Sequence, residues 1–130
     1  MNGLRVMLMT TLLLGSLTAP QARAQDAAAH KAWMDDAADL QDELREQLHA
    51  TAGDKAADAA TKIEKILAQT QAYWAAKQAE DVVKIARESR TMATAIATAA
   101  KSGKMDEANE AFAKMNAHCN ACHGLHPEKR

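Results

Sequence analysis

Apolar residues recur along this chain at alternating spacings of three and four from about residue 27 to about residue 123, the period of helices that each bury one face. The pattern predicts four helices. The first, near residues 27–51, turns Trp33, Ala37, Leu40, Leu44 and Leu48 to one side. The second starts after Asp54, a side chain suited to N-capping, and runs to about residue 77. Its stripe is Ala56, Ala59, Ile63, Ile66/Leu67, Thr70 and Tyr73/Trp74. The third, near 80–101, uses Val82, Ile85/Ala86, Ser89, Met92/Ala93, Ile96 and Ala99/Ala100. The fourth, near 104–123, uses Met105, Ala108, Phe112, Met115, Cys119 and Cys122, so both cysteines continue its inward stripe. No proline falls between Asp26 and Leu125, and Ala, Lys, Glu, Gln and Leu, all strong helix formers, dominate that stretch. Gly53, Gly103 and Gly124 mark expected helix stops, whereas the break between the second and third helices carries no comparable signal.

Short connections favour antiparallel neighbours, so the expected fold class is all-α, an up-down-up-down four-helix bundle. Its core is thin. Much of the buried stripe is alanine, and the whole chain has one Phe, one Tyr and two Trp. Small side chains leave room for something large between the helices, and a bulky apolar group there would supply the apolar area the stripe lacks. Close alanine packing around no ligand is the plain alternative.

The N-terminus reads differently. Arg5 supplies a positive start, Val6 to Leu14 is a short apolar run, Gly15 and Pro20 follow, and Ala22-Arg23-Ala24 is a small-x-small cleavage site. This is the pattern of a secretory signal peptide over residues 1–24, with one domain from Gln25 to Arg130. Loss of Arg5 and Arg23 moves the formal charge from −1 to −3. No basic stripe with interleaved aromatics is present, which argues against a nucleic-acid partner. No apolar segment after residue 24 has membrane-spanning length.

The only two cysteines lie in Cys119-Asn120-Ala121-Cys122-His123. Two thiols three positions apart with an imidazole directly after is the pattern for covalent c-type haem attachment. On a helix, positions i and i+3 share a face, so two sulfurs can reach the two vinyl groups on one porphyrin edge. His123 is then held beside the ring centre as the proximal iron ligand. In an exported protein two thiols also commonly form a disulfide, and a haem-free helical protein with a Cys119–Cys122 bridge or a metal site is a rival reading. The redox CxxC, however, sits at a helix N-terminus after a strand, and here the motif closes the last helix. A zinc site needs a second Cys/His pair at suitable spacing. His118 and His126 flank the motif too closely to bind the same iron.

The sixth iron position has to come from elsewhere. In an antiparallel bundle the start of the first helix and the end of the fourth share one end of the molecule, and at about 1.5 Å per residue Met34 falls near the height of His123. Its thioether would complete a Met/His pair, which raises the reduction potential. Met34 lies toward the edge of the Leu40/Leu44 stripe, and His30, one turn earlier and nearer the stripe centre, is the substitute ligand. Met92, Met105 and Met115 read as core. Trp33, Tyr73 and Trp74 belong at the same end, either walling the haem or as ordinary packing.

A signal peptide, an alanine-rich four-helix pattern and a CxxCH close to the C-terminus together resemble the class II c-type cytochromes, cytochrome c-prime and its low-spin, Met-ligated relatives. The haem motif is the specific part of that likeness. The resemblance implies a residue of the first helix on the distal side, which maps to Met34 in Ala32-Trp33-Met34. Ser102-Gly103-Lys104-Met105-Asp106 looks like the family's turn before the haem-bearing helix. One departure is that the family's Arg or Lys four residues after the haem His is here Pro127. The implied function is a periplasmic monohaem cytochrome carrying single electrons between redox partner proteins, with one covalent haem c and no enzymatic activity. If Met34 does not ligate, the alternative is a five-coordinate protein that takes up nitric oxide or carbon monoxide. Bundles of this type often pair through two helices, so a homodimer joins the expected partners, although no exposed apolar seam is marked.

Overall fold

The computed structural model describes residues 19–127, with side chains from Asp26 onward. Four α-helices follow one another: α1 Ala19–His49, α2 Gly53–Ala75, α3 Glu80–Lys101 and α4 Met105–Leu125. Among the described residues no helix is long and apolar enough to cross a membrane. The apolar run of the predicted signal peptide lies outside the described residues. The first helix starts earlier than its stripe suggested, at Ala19, and so runs across the predicted cleavage junction. Pro20 does not prevent this, because the first-turn N–H groups of a helix have no intrahelical acceptor and none is lost there.

Three tight turns set the topology, and all three are the same device. At each, a residue in the left-handed region follows the helix: Thr51 at φ 55°, Gln78 at φ 58° and Gly103 at φ 73°. In each, the left-handed residue's N–H reaches back to a carbonyl three residues earlier and the next N–H to one five residues earlier. The pairs are Thr51→Leu48 with Ala52→Gln47, Gln78→Ala75 with Ala79→Trp74, and Gly103→Ala100 with Lys104→Ala99. This is the Schellman arrangement, which satisfies the last carbonyls and reverses the chain. Only the third carries the glycine that marks it in sequence, which is why the α2–α3 break was hard to read.

Two of the glycines expected at helix stops have more specific places. Gly53 does follow the end of α1, but it is itself the first residue of α2, and a Cβ there would overlap the Ala100 carbonyl oxygen and lie 3.1 Å from Met105 Cε. It is the point where the start of α2 crosses the end of α3. Gly124 lies inside α4, which runs on to Leu125. Asp54 is likewise not the N-cap of α2: Ala52 holds that place without a side-chain hydrogen bond, and Asp54 sits in the first turn, where a carboxylate suits the positive end of the helix dipole.

Consecutive helices pack on each other, most extensively α2 with α3 and α3 with α4, while α1 and α4 barely touch. The largest buried cluster fills one end. There Leu44 and Leu48 of α1, Ile63 of α2, Ile96 of α3, and Phe112 and Met115 of α4 meet through a bed of alanines. Arg45 lies over the Phe112 ring at 5.8 Å, a contact between α1 and α4 at that end. Outside the core, Arg90 of α3 bonds Glu64 and Gln71 of α2 at 2.8 and 2.9 Å and ties that pair together. The other end, formed by the start of α1, the end of α2, the start of α3 and the end of α4, is packed less completely, and the candidate site lies there.

Candidate functional site

Four helices line one mainly apolar cavity at that end. Met34, Ala37, Ala38 and Gln41 come from α1, Leu67 and Thr70 from α2. Val82, Ile85, Ala86 and Ser89 come from α3, and Cys119, Cys122 and His123 from α4. The stripes explain the convergence: each helix contributes positions three, four or seven apart, and the tight turns hold these stripes facing one another. The structure therefore brings together Cys119, Cys122, His123 and Met34, although Met34 is separated from the others by most of the chain. Met34 is half-buried on the cavity wall, so its place at the stripe edge turns it to the space between α1 and α4.

No bond joins the two sulfurs in this structure. Burial raises Cys119 to a pKa of about 11, and the neighbouring Cys122 adds to the rise, while a hydrogen bond with Ser89 pulls the other way. Ser89 is 1% exposed, and the Ile85 carbonyl, 2.9 Å from its hydroxyl, competes with Cys119 for its single proton. Thr70 is 6% exposed and its Oγ1 has no hydrogen-bond partner. An orphaned hydroxyl on the wall of a buried space is what a bound group with an acceptor would satisfy, and left alone it costs about 1–3 kcal/mol.

His30 stands apart from the cavity lining. It is 5% exposed, and its Nε2 accepts the Trp74 indole N–H at 2.9 Å. Its ring stacks on Tyr73 at 4.7 Å and meets Trp33 edge-on at 6.4 Å. Burial holds its pKa below the ordinary histidine value, and the charges of His123 and Lys77 add to that. An Nε2 occupied by an indole N–H has no lone pair left for iron, so the geometry favours Met34 over His30 as the distal group. Trp33, Tyr73 and Trp74 gather at this end as expected, but they pack around His30 rather than on the cavity wall.

Two features were not foreseen. His126 pairs with Asp81, whose carboxyl is held below its usual range by that bond and by the Val82 backbone N–H. The pair ties the residue just beyond α4 to the first turn of α3. Thr70 and Ser89 were both on the predicted stripes, and a hydroxyl in an otherwise apolar stripe was the available signal.

The residues suit a haem in kind: two thiols on one helix face, an imidazole one residue on, a thioether opposite and aliphatic walls. The cavity, partly open to the surface, has a volume of about 80 Å³. A porphyrin needs more, and the seam between α1 and α4, the adjacent pair in least contact, is where the bundle has room to open. Among the described residues no group of three or more His, Cys, Asp or Glu side chains gathers as a metal site. A haem iron takes only one or two protein ligands, so this bears on a zinc-type site and not on a haem. No family model, curated protein or solved structure matches the chain.

Proposed function

We propose that the protein is a monohaem c-type cytochrome acting as a one-electron carrier in the periplasm between redox partner proteins. Cys119 and Cys122 would hold the porphyrin through thioether bonds, His123 would bind the iron on one side and Met34 on the other. The observation that supports this best is the shared cavity: four residues singled out separately by motif and by helix height line a single apolar space. The haem, when bound, supplies the redox chemistry; the chain supplies ligands and exclusion of water. Leu67, Val82, Ile85 and Ala86 form the dry wall. A low local dielectric and a Met/His pair both favour the reduced, less charged iron, the direction expected of a carrier of raised potential. No substrate is transformed in this reading.

The test is the absorption spectrum of the ferric and ferrous protein produced with haem-attachment machinery. A low-spin spectrum with the far-red band of Met-bound ferric haem, lost in Met34→Ala, supports the electron carrier. A high-spin spectrum in the unaltered protein overturns the Met34 assignment and leaves the gas-binding alternative.

A further inference from the structure

We propose that the Trp74–His30 hydrogen bond is a positioning device for Met34, fixing the turn of α1 that presents the thioether to the cavity. The inference rests on the cytochrome reading for the role of Met34, but the geometry stands without it. At the cavity end, α1 is held from one side. It packs along α2 and makes little contact with α4, which carries the wall containing Cys119, Cys122 and His123. The main packing partner that can fix the height and rotation of α1 there is α2.

His30 and Tyr73/Trp74 are that connection. His30 precedes Met34 by four residues, one turn on the same side of the helix. Its imidazole accepts the Trp74 Nε1–H at 2.9 Å, stacks on Tyr73 with 17° between the rings, and meets Trp74 edge-on at 5.2 Å. Lys77 also lies over the Tyr73 ring, its ammonium 4.5 Å from the centroid. A hydrogen bond is directional where apolar packing is not, so it sets the rotation of α1 as well as its distance from α2. One helical turn is stiff, and a fixed His30 backbone fixes the Met34 backbone with it. The bond needs a neutral imidazole with its proton on Nδ1, which burial favours.

The test uses the full chain in two forms. Trp74→Phe keeps a ring and removes the N–H; His30→Leu removes the acceptor; His30→Gln restores an acceptor as an amide oxygen. Leu48→Ala, in the core at the other end, lowers stability without touching the device. In the haem-free chain, the methyl NMR resonance of Met34 is expected to move toward the position of an unstructured methionine in Trp74→Phe and His30→Leu. It should stay near the native position in His30→Gln and Leu48→Ala. In the haem-loaded protein the far-red band should fall at least twofold in the first two variants and persist in the other two. An unmoved Met34 resonance in folded Trp74→Phe or His30→Leu overturns the proposal, and either variant alone decides it should the other not fold. If the unaltered chain takes up no haem, the cytochrome reading fails, while the methyl measurement still decides whether the bond positions Met34.

Discussion

Cys119 should be a slow thiol in the folded, haem-free chain and an ordinary one when the chain is unfolded. Its pKa of about 11 stands two units above the 9.0 of an unperturbed thiol. Well below pH 9 the folded chain therefore holds about a hundredfold less thiolate at this position, and the thiolate is the nucleophile. A more basic thiolate is intrinsically more reactive; a Brønsted slope of about 0.4–0.5 returns roughly six- to tenfold. The net expectation is alkylation at least about tenfold slower in the folded state, with burial of the sulfur slowing it further. The assay is timed labelling with iodoacetamide at pH 8, with and without denaturant, and the two cysteines resolved by peptide mass spectrometry. The pH profile is the sharper readout: in the folded chain the Cys119 rate should still be rising beyond pH 9, where the unfolded chain's rate levels off. Equal rates in the two states, or a folded-state profile that bends near pH 9, would refute the assignment of Cys119 to a buried wall. The same chemistry has a consequence for assembly. A thiol this reluctant, facing a space of about 80 Å³, is poorly placed to take up a porphyrin once the helices have closed.

Three further outcomes follow from the fold. Gly53→Ala should lower stability by about 1–3 kcal/mol in denaturant unfolding, because the new Cβ meets the Ala100 carbonyl rather than a side chain that can swing away. Thr51→Gly should raise it by roughly 0.5–1 kcal/mol, since an exposed β-branched residue at φ 55° gives up a left-handed strain that glycine does not carry; an unchanged midpoint would count against the turn geometry. His30 is held neutral in the fold, below the ordinary value of 6.5, while the unfolded chain's imidazole protonates near that value. Its contribution to stability is therefore intact above about pH 6.5 and lost as pH falls below it. Urea titrations at pH 7 and pH 5 should show a larger loss for the native chain than for His30→Gln, and equal losses would contradict the burial of His30.

The helix count and the faces of the helices were legible because each face must repeat every three or four residues to reach a common core. The α3 limits of 80–101 emerged for that reason, even though its start carries no marked boundary. The turns were less legible. Thr51 and Gln78 occupy left-handed positions that sequence patterns assign to glycine, while Gly53 serves a helix crossing and Gly124 lies in the last turn of α4. At the cavity, Cys119, Cys122 and His123 are local in sequence and could be read as a unit, and helix heights pointed to Met34, which lines the same space. The Trp74–His30 and Asp81–His126 pairs join residues 44 and 45 apart. No local pattern specifies which imidazole meets which partner across two helices, so these contacts became visible only in the folded arrangement.

The most direct measurement is the intact mass and colour of the protein purified after export alongside haem-attachment machinery, taken under denaturing conditions. The account predicts one haem that stays with the chain on denaturation and maps to the peptide containing Cys119 and Cys122. A colourless product whose two cysteines are unmodified or merely joined to each other would contradict it.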